Sequence, residues 1–217
     1  MKLDVRHLGR IAYPDAHALQ EALIGERLAD VQGVPDRLLL LEHDPVVTVG
    51  RSPRSEQRAE LERVLAGTDC PVVEVERGGE ATWHGPGQLV AYPIVYLAPG
   101  ERDLHAYLRK LEDVVIETVG AFGVEGRREP GKTGVWVTHV GRPRKVASIG
   151  IAVRRWVTWH GVSLNVDNRL DHFQRFHPCG FDHDVMTTLA EVAPEAPMLE
   201  QVTEAFEERF RGRFGAH

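Results

Sequence analysis

The chain has 217 residues, of which 42% are hydrophobic and 27% charged, with a formal net charge of −6. That size and mix suit one domain, residues 1–217, with a well-filled core. No run approaches 18 uninterrupted apolar residues, which argues against a membrane-spanning helix, and the net negative charge argues against general nucleic-acid binding.

A strand is expected near Lys2–Leu8, then a helix from about Pro14 to Val31, where Ala18, Leu19, Ala22, Leu23 and Leu28 recur at helical spacing. Leu38–Glu42 and Val46–Val49 read as strands about an Asp44-Pro45 turn, and Glu56–Ala66 as a short charged helix with Leu61, Val64 and Leu65 on one side. Val72–Glu76 reads as a strand leading into RGGEATWHGPGQ, whose glycines and prolines predict a loop from Gly78 to Gly87. Leu89–Tyr96 is again a strand. Asp103 starts a helix of about 19 residues, with Leu104, Leu108, Leu111, Val115 and Val119 as its inner stripe.

From Gly134 the chain turns β-rich. Val135–Val140 and Val146–Val153 flank the turn Gly141-Arg142-Pro143-Arg144, and Trp156–Val166 is a third antiparallel strand. Helices are expected around Val185–Val192 and Met198–Arg211. Irregular interleaving of strands and helices, with three late strands adjacent in sequence, predicts an α+β fold with a mixed or antiparallel sheet flanked by helices.

Two cysteines are too few for a disulfide scaffold. The start MKLDVRHLGR lacks the apolar segment of a secretory signal, so a reducing, cytoplasmic setting is expected. Cys70, between Asp69 and Pro71, reads as a small residue at a strand edge. Cys179 lies in His177-Pro178-Cys179-Gly180, where a neighbouring ammonium would raise its thiolate fraction and the Gly180 N–H could face an oxyanion. His177, Cys179 and His183 also form an H-x-C-x3-H cluster, without the second close Cys or His pair that zinc pairings normally include, and His84 or His160 could serve a Cys–His hydrolase. Lys145 enters an apolar strand from a basic turn. A solvated edge is one reading; the small residues of Ala147-Ser148-Ile149-Gly150 allow another, a ligand lying along the strand.

Five segments together resemble the lipoyl(octanoyl) transferase family. RGGxxTxHGPGQ is met by Arg77-Gly78-Gly79, Thr82 and His84-Gly85-Pro86-Gly87-Gln88. KxGVW is met by Lys132, Gly134, Val135 and Trp136, and KxxSxG by Lys145, Ser148 and Gly150. HGxxxN is met by His160-Gly161 and Asn165, and the cysteine loop by Pro178-Cys179-Gly180. After the cysteine, Met186-Thr187-Thr188-Leu189 stands where the family commonly shows Val-Thr-Ser-Leu.

The resemblance implies the fold of biotin- and lipoate-protein ligases and a Cys179/Lys145 dyad. Substrate contacts would come from Arg77, Gly78, Gly79, Glu80, Ala81, Thr82, Trp83 and His84, from Ser148, Ile149 and Gly150, and from Gly161, Val162 and Ser163. It implies octanoyl-acyl carrier protein as donor, and as acceptors the lipoyl domains of 2-oxoacid dehydrogenase E2 subunits and the glycine cleavage H protein. Thioester exchange is nearly energy-neutral and thioester to amide is downhill, so no cofactor and no metal is expected. An apolar slot for about six methylenes would contribute about 5 kcal/mol of chain-length preference. Arg142, Arg144, Arg154 and Arg155 are candidates for docking an acidic carrier protein. Two alternatives stay open: an ATP-dependent lipoate- or biotin-protein ligase, and a non-catalytic protein that binds acyl carrier.

Overall fold

The computed structural model describes residues 3–51, 59, 61–64, 66, 70–173 and 185–215. In chain order these form β1 (Leu3–Ile11), α1 (Tyr13–Ala29), β2 (Asp36–His43), β3 (Val46–Val49), β4 (Val72–Glu74), β5 (Ala81–His84), β6 (Gln88–Ile94), α2 (Leu104–Gly120), β7 (Arg127–Glu129), β8 (Lys132–His139), β9 (Arg142–Arg154), β10 (Val157–Asn165), α3 (Leu189–Val192) and α4 (Leu199–Phe214). Of the charged helix expected over Glu56–Ala66, residues 61–64 are helical and most of the rest lies outside the described residues.

The large sheet has the order β1-β2-β6-β10-β9-β8-β7. β1 and β2 run parallel, joined through α1, and the remaining neighbours run antiparallel. This is the expected mixed sheet flanked by helices. α2 and α4 cover one face, where Leu111, Val115, Val119, Val202, Phe206 and Phe210 meet Leu38, Leu89, Val146, Ala147 and Leu164. Asp103 caps α2 by accepting from the backbone N–H groups of His105 and Ala106, satisfying donors that the first turn leaves open. On the opposite face, Ala16, Leu23 and Ile24 of α1 pack on Leu39, Leu41, Val90, Tyr92 and Trp159. A small sheet, β4-β3-β5, stands beside that second face.

Five expectations need correction. Ala81–His84 is a strand, not loop: it pairs antiparallel with β3, and all four residues are buried, so pairing overrides the glycines around it. The hairpin turn is the pair Val140-Gly141, both at positive φ, with Arg142 already opposite His139 in the ladder. A two-residue turn of that kind matches strand twist, and it leaves Val140 85% exposed. β7 was not anticipated; three charged residues, Arg127-Arg128-Glu129, carry no strand signature. Helix is confined to Leu189–Val192, because Met186 forms a parallel bridge with Lys145. Finally, Leu104 at the start of α2 is 37% exposed, and Tyr107 and Val114 join the buried stripe.

Candidate active site

A narrow cleft lies between the small sheet and the second face of the large one, lined by residues of both. Of the residues expected to touch substrate, Arg77, Gly78, Gly79, Thr82, His84, Ser148, Ile149, Gly150, Gly161, Val162 and Ser163 line it; Glu80, Ala81 and Trp83 do not. Strand alternation explains the split on β5. Thr82 and His84 face the cleft, while Ala81 and Trp83 pack with Val47, Val49, Cys70, Phe173 and Met186. Trp83 stacks on His172 with ring centroids 4.9 Å apart and meets Phe173 edge-on.

Glycines let the walls close. Gly78 N–H donates to the Ile151 carbonyl at 3.0 Å, so the Arg77–Gly79 turn lies along β9. A Cβ at Gly150 would sit 3.0 Å from both Arg77 Cδ and the Gly78 oxygen. At Gly161, where φ is +156°, a Cβ would lie 2.3 Å from the Ala91 oxygen.

Lys145 is 3% exposed, so it is no solvated edge. The pairing of β8 with β9 slips between Val135 and Trp136, which oppose Ala147 and Lys145, leaving one extra residue in β9. Val146 and Ala147 therefore both enter the core beneath α2 and α4. This bulge resets the alternation and puts Lys145 on the same face as Ser148 and Gly150, three positions and at most about 10 Å along the strand from the cleft wall. Gly134 makes room for it: a Cβ there would lie 2.7 Å from Lys145 Cε. Lys145 Nζ sits 5.8 Å from the centre of the Trp136 ring. Its backbone N–H donates to the Val185 carbonyl at 2.8 Å, and its carbonyl accepts from Thr187 N–H at 3.1 Å.

A buried hydrogen-bond chain ties these parts together. The Arg77 guanidinium donates to the Thr48 carbonyl at 2.7 Å and to its hydroxyl at 2.9 Å. Thr48 Oγ1 lies 3.3 Å from His84 Nε2, and His84 Nδ1 lies 2.8 Å from Gln88 Oε1. The Gln88 amide nitrogen donates to Asn165 Oδ1, whose own amide nitrogen donates to the Thr187 carbonyl. Because Gln88 spends its nitrogen on Asn165, its oxygen faces His84, which fixes the proton on His84 Nδ1. Thus His84, Gln88 and Asn165 hold the cleft floor to the segment that flanks Lys145.

Burial keeps this histidine cluster neutral. It lowers His84 well below the ordinary histidine value, His43 to about 4 and, with help from the Arg77 charge, His160 to about 3. His43 is bracketed by the Ile11 carbonyl at 2.9 Å and Tyr92 Oη at 2.8 Å. Burial likewise raises Tyr13 and Tyr92, so both remain phenols. Tyr13 Oη and Thr82 Oγ1 are buried in the cleft lining with no hydrogen-bond partner among the described residues, which suits a site whose ligand would complete them.

Four lining residues lie outside the expected contacts: Tyr13, Thr48, Tyr92 and His160. Thr48 and Tyr92 are polar interruptions in apolar strand runs, a signal open to sequence reading. Tyr13 carries none. Cys179, His177 and His183 lie outside the described residues. Arg142 is exposed and Arg144 half-buried at the start of β9, while Arg154 and Arg155 are exposed at its opposite end and in the turn after it.

Residues 12–211 match the lipoyl protein ligase A/B catalytic domain. The chain is 44% identical over 206 residues to the octanoyltransferase of Geobacter metallireducens, covering 95% of this chain and 91% of that one. Among solved structures, the bipartite lipoate protein ligase of Thermoplasma acidophilum superposes with a TM-score of 0.74 at 16% identity, covering 99% of this chain and 84% of that one. The biotin protein ligase of Aquifex aeolicus gives 0.54 at 14%, covering 99% and 70%. The structural likenesses establish the fold, and the sequence match, running nearly end to end through every motif that builds the cleft, establishes more: the chain belongs to the lipoyl protein ligase A/B family and, within it, to the octanoyltransferases, which are acyltransferases.

Proposed function

We propose that the whole chain is one catalytic domain that takes an octanoyl group from acyl carrier protein onto Cys179 and passes it to the target lysine of a lipoyl domain. The acceptors are the lipoyl domains of 2-oxoacid dehydrogenase E2 subunits and the glycine cleavage H protein. The observation that carries the reading is Lys145, buried on the cleft-facing side of β9 beside the segment that follows the cysteine loop. Val185, six positions after Cys179, is hydrogen-bonded to Lys145, and Phe173, six positions before it, is buried against Trp83.

In the first half-reaction the Cys179 thiolate attacks the thioester carbonyl of the carrier-bound octanoyl group. A carbon–sulfur bond to Cys179 forms, the bond to pantetheine breaks, and the Lys145 ammonium gives the departing thiolate its proton. In the second, the acceptor lysine amine attacks the new thioester. A carbon–nitrogen bond forms, Cys179 leaves as thiolate, and Lys145 takes the amine's proton, returning to the starting state. An ammonium about 4 Å from the sulfur would favour its charge by roughly 4 kcal/mol at an effective dielectric near 20, less the desolvation of both groups. Arginine could not replace it, since it does not give up its proton.

The octanoyl chain lies in the cleft between the Gly78-Gly79 turn and Ser148–Gly150, over the rings of Tyr13 and Tyr92. In this reading those lining rings set the limit on chain length. The test is an intact mass after mixing with octanoyl carrier protein, without ATP. One octanoyl group should appear, vanish in Cys179→Ser, and pass to an added lipoyl domain; a requirement for ATP would favour a ligase instead.

A further inference from the structure

At the edge of the acyl-binding cleft, and sharing His160 with its lining, one cluster is arranged for a different ligand. We infer that His17, Glu76 and His160 form a binding site for a divalent transition ion of the zinc type at the rim of the cleft. His17 comes from α1, Glu76 from the turn after β4, and His160 from β10, so the fold brings together groups up to 143 positions apart. One ligand atom from each lies within 4.8 Å of the others.

Two of the three ligand separations are close to those of a tetrahedral centre. Bonds of about 2.1 Å separate neighbouring ligands by about 3.4 Å. Glu76 Oε2 lies 3.2 Å from His17 Nε2, a hydrogen bond that a bound ion would replace, and 3.6 Å from His160 Nε2. His160 is 2% exposed, and its Nε2 has no hydrogen-bond partner among the described residues; the 3.6 Å separation from Glu76 is longer than such a bond. A buried nitrogen aimed at a carboxylate and left short of it is what an intervening ion would explain.

The backbone is set up for this aim. His160 sits at φ +54°, off the regular strand conformation, and its N–H donates to Gln20 Oε1 at 2.9 Å, one helical turn from His17. Its ring stacks on Trp159 at 4.4 Å. His17 and Glu76 are partly exposed, 24% and 39% for their side chains, which leaves a fourth position open to water. Two imidazoles and a single carboxylate suit zinc, copper or nickel; magnesium and calcium ask for more oxygens. The adjacent Arg77 charge opposes any cation, so moderate rather than tight affinity is expected.

The test is zinc titration of the Cys179→Ser protein, which removes the sulfur of the competing His177-Cys179-His183 cluster. Competition with a chromophoric chelator should give one bound equivalent, and adding His17→Gln should weaken it at least tenfold while leaving the metal-free melting temperature unchanged. Zinc should raise the melting temperature of Cys179→Ser but not of the double variant. Cobalt in place of zinc should give a tetrahedral visible spectrum that His17→Gln abolishes. No binding by Cys179→Ser, or binding indifferent to both His17→Gln and Glu76→Gln, would overturn the site.

Discussion

Beneath α2 and α4 the large sheet buries leucines, valines and phenylalanines; on its other face, beneath α1 and the small sheet, it buries Tyr13, His43, His84, Tyr92, His160 and Arg77. The first face gains stability from every residue it covers. The second also buries an apolar cluster under α1, but beside it removes polar groups from water and offsets part of that loss through the linked bonds from Arg77 to Thr187. One strand serves both: the bulge in β9 turns Val146 and Ala147 to the apolar side and leaves Lys145, Ser148 and Gly150 on the polar one. Stability and chemistry are thus placed back to back, and perturbations on each side should read out differently.

The largest effect on the apolar side should come from Phe206→Ala. Its ring is fully buried and stacked with Phe210, and its loss should destabilise the fold by about 3–5 kcal/mol in urea unfolding, leaving acyl transfer by the folded fraction near normal.

The polar side should show itself next, through pH. His43 is lowered in the fold to about 4, so between there and the ordinary value of 6.5 the unfolded chain binds a proton that the native one refuses. Its stabilisation is whole above pH 6.5 and is lost as pH falls toward 4, by about 3 kcal/mol for this group. His160, lowered to about 3, adds to the same slope in metal-free protein. Unfolding free energies at pH 7 and 4.5 should differ by a few kcal/mol, and His43→Gln should flatten that difference.

The smallest effect should be at the rim. Arg154, half exposed and paired with Glu21 at 3.3 Å, should change stability by less than about 0.5 kcal/mol when replaced by Ala. A rise in KM for the carrier protein without such a stability change would mark it as a docking residue; no change in either would leave it a surface pair.

Much of the apolar side was legible in sequence, because helical periods report burial directly: the α2 stripe at Leu111, Val115 and Val119 stands where its spacing put it. The motif segments were legible too, and eleven of the expected contacts share one cleft. What could not be read was direction. Trp83 lies inside the RGG segment, yet only the pairing of β5 with β3 turns it away from the cleft. The K-x-x-S spacing would set Lys145 and Ser148 on opposite faces of a regular strand; only the bulge reunites them. The approach of His17 to His160 depends on how α1 crosses β10, through Gln20 in particular, and no local pattern encodes that.

The central claim is that Lys145, placed on the cleft face by the bulge, ionises Cys179. The direct measurement is the pH dependence of Cys179 alkylation, followed by peptide mass spectrometry in the native protein and in Lys145→Met. The native thiol should titrate below the ordinary value of about 8.5, and the variant should move upward by about a unit or more with its fold intact. Superimposable curves would contradict the account.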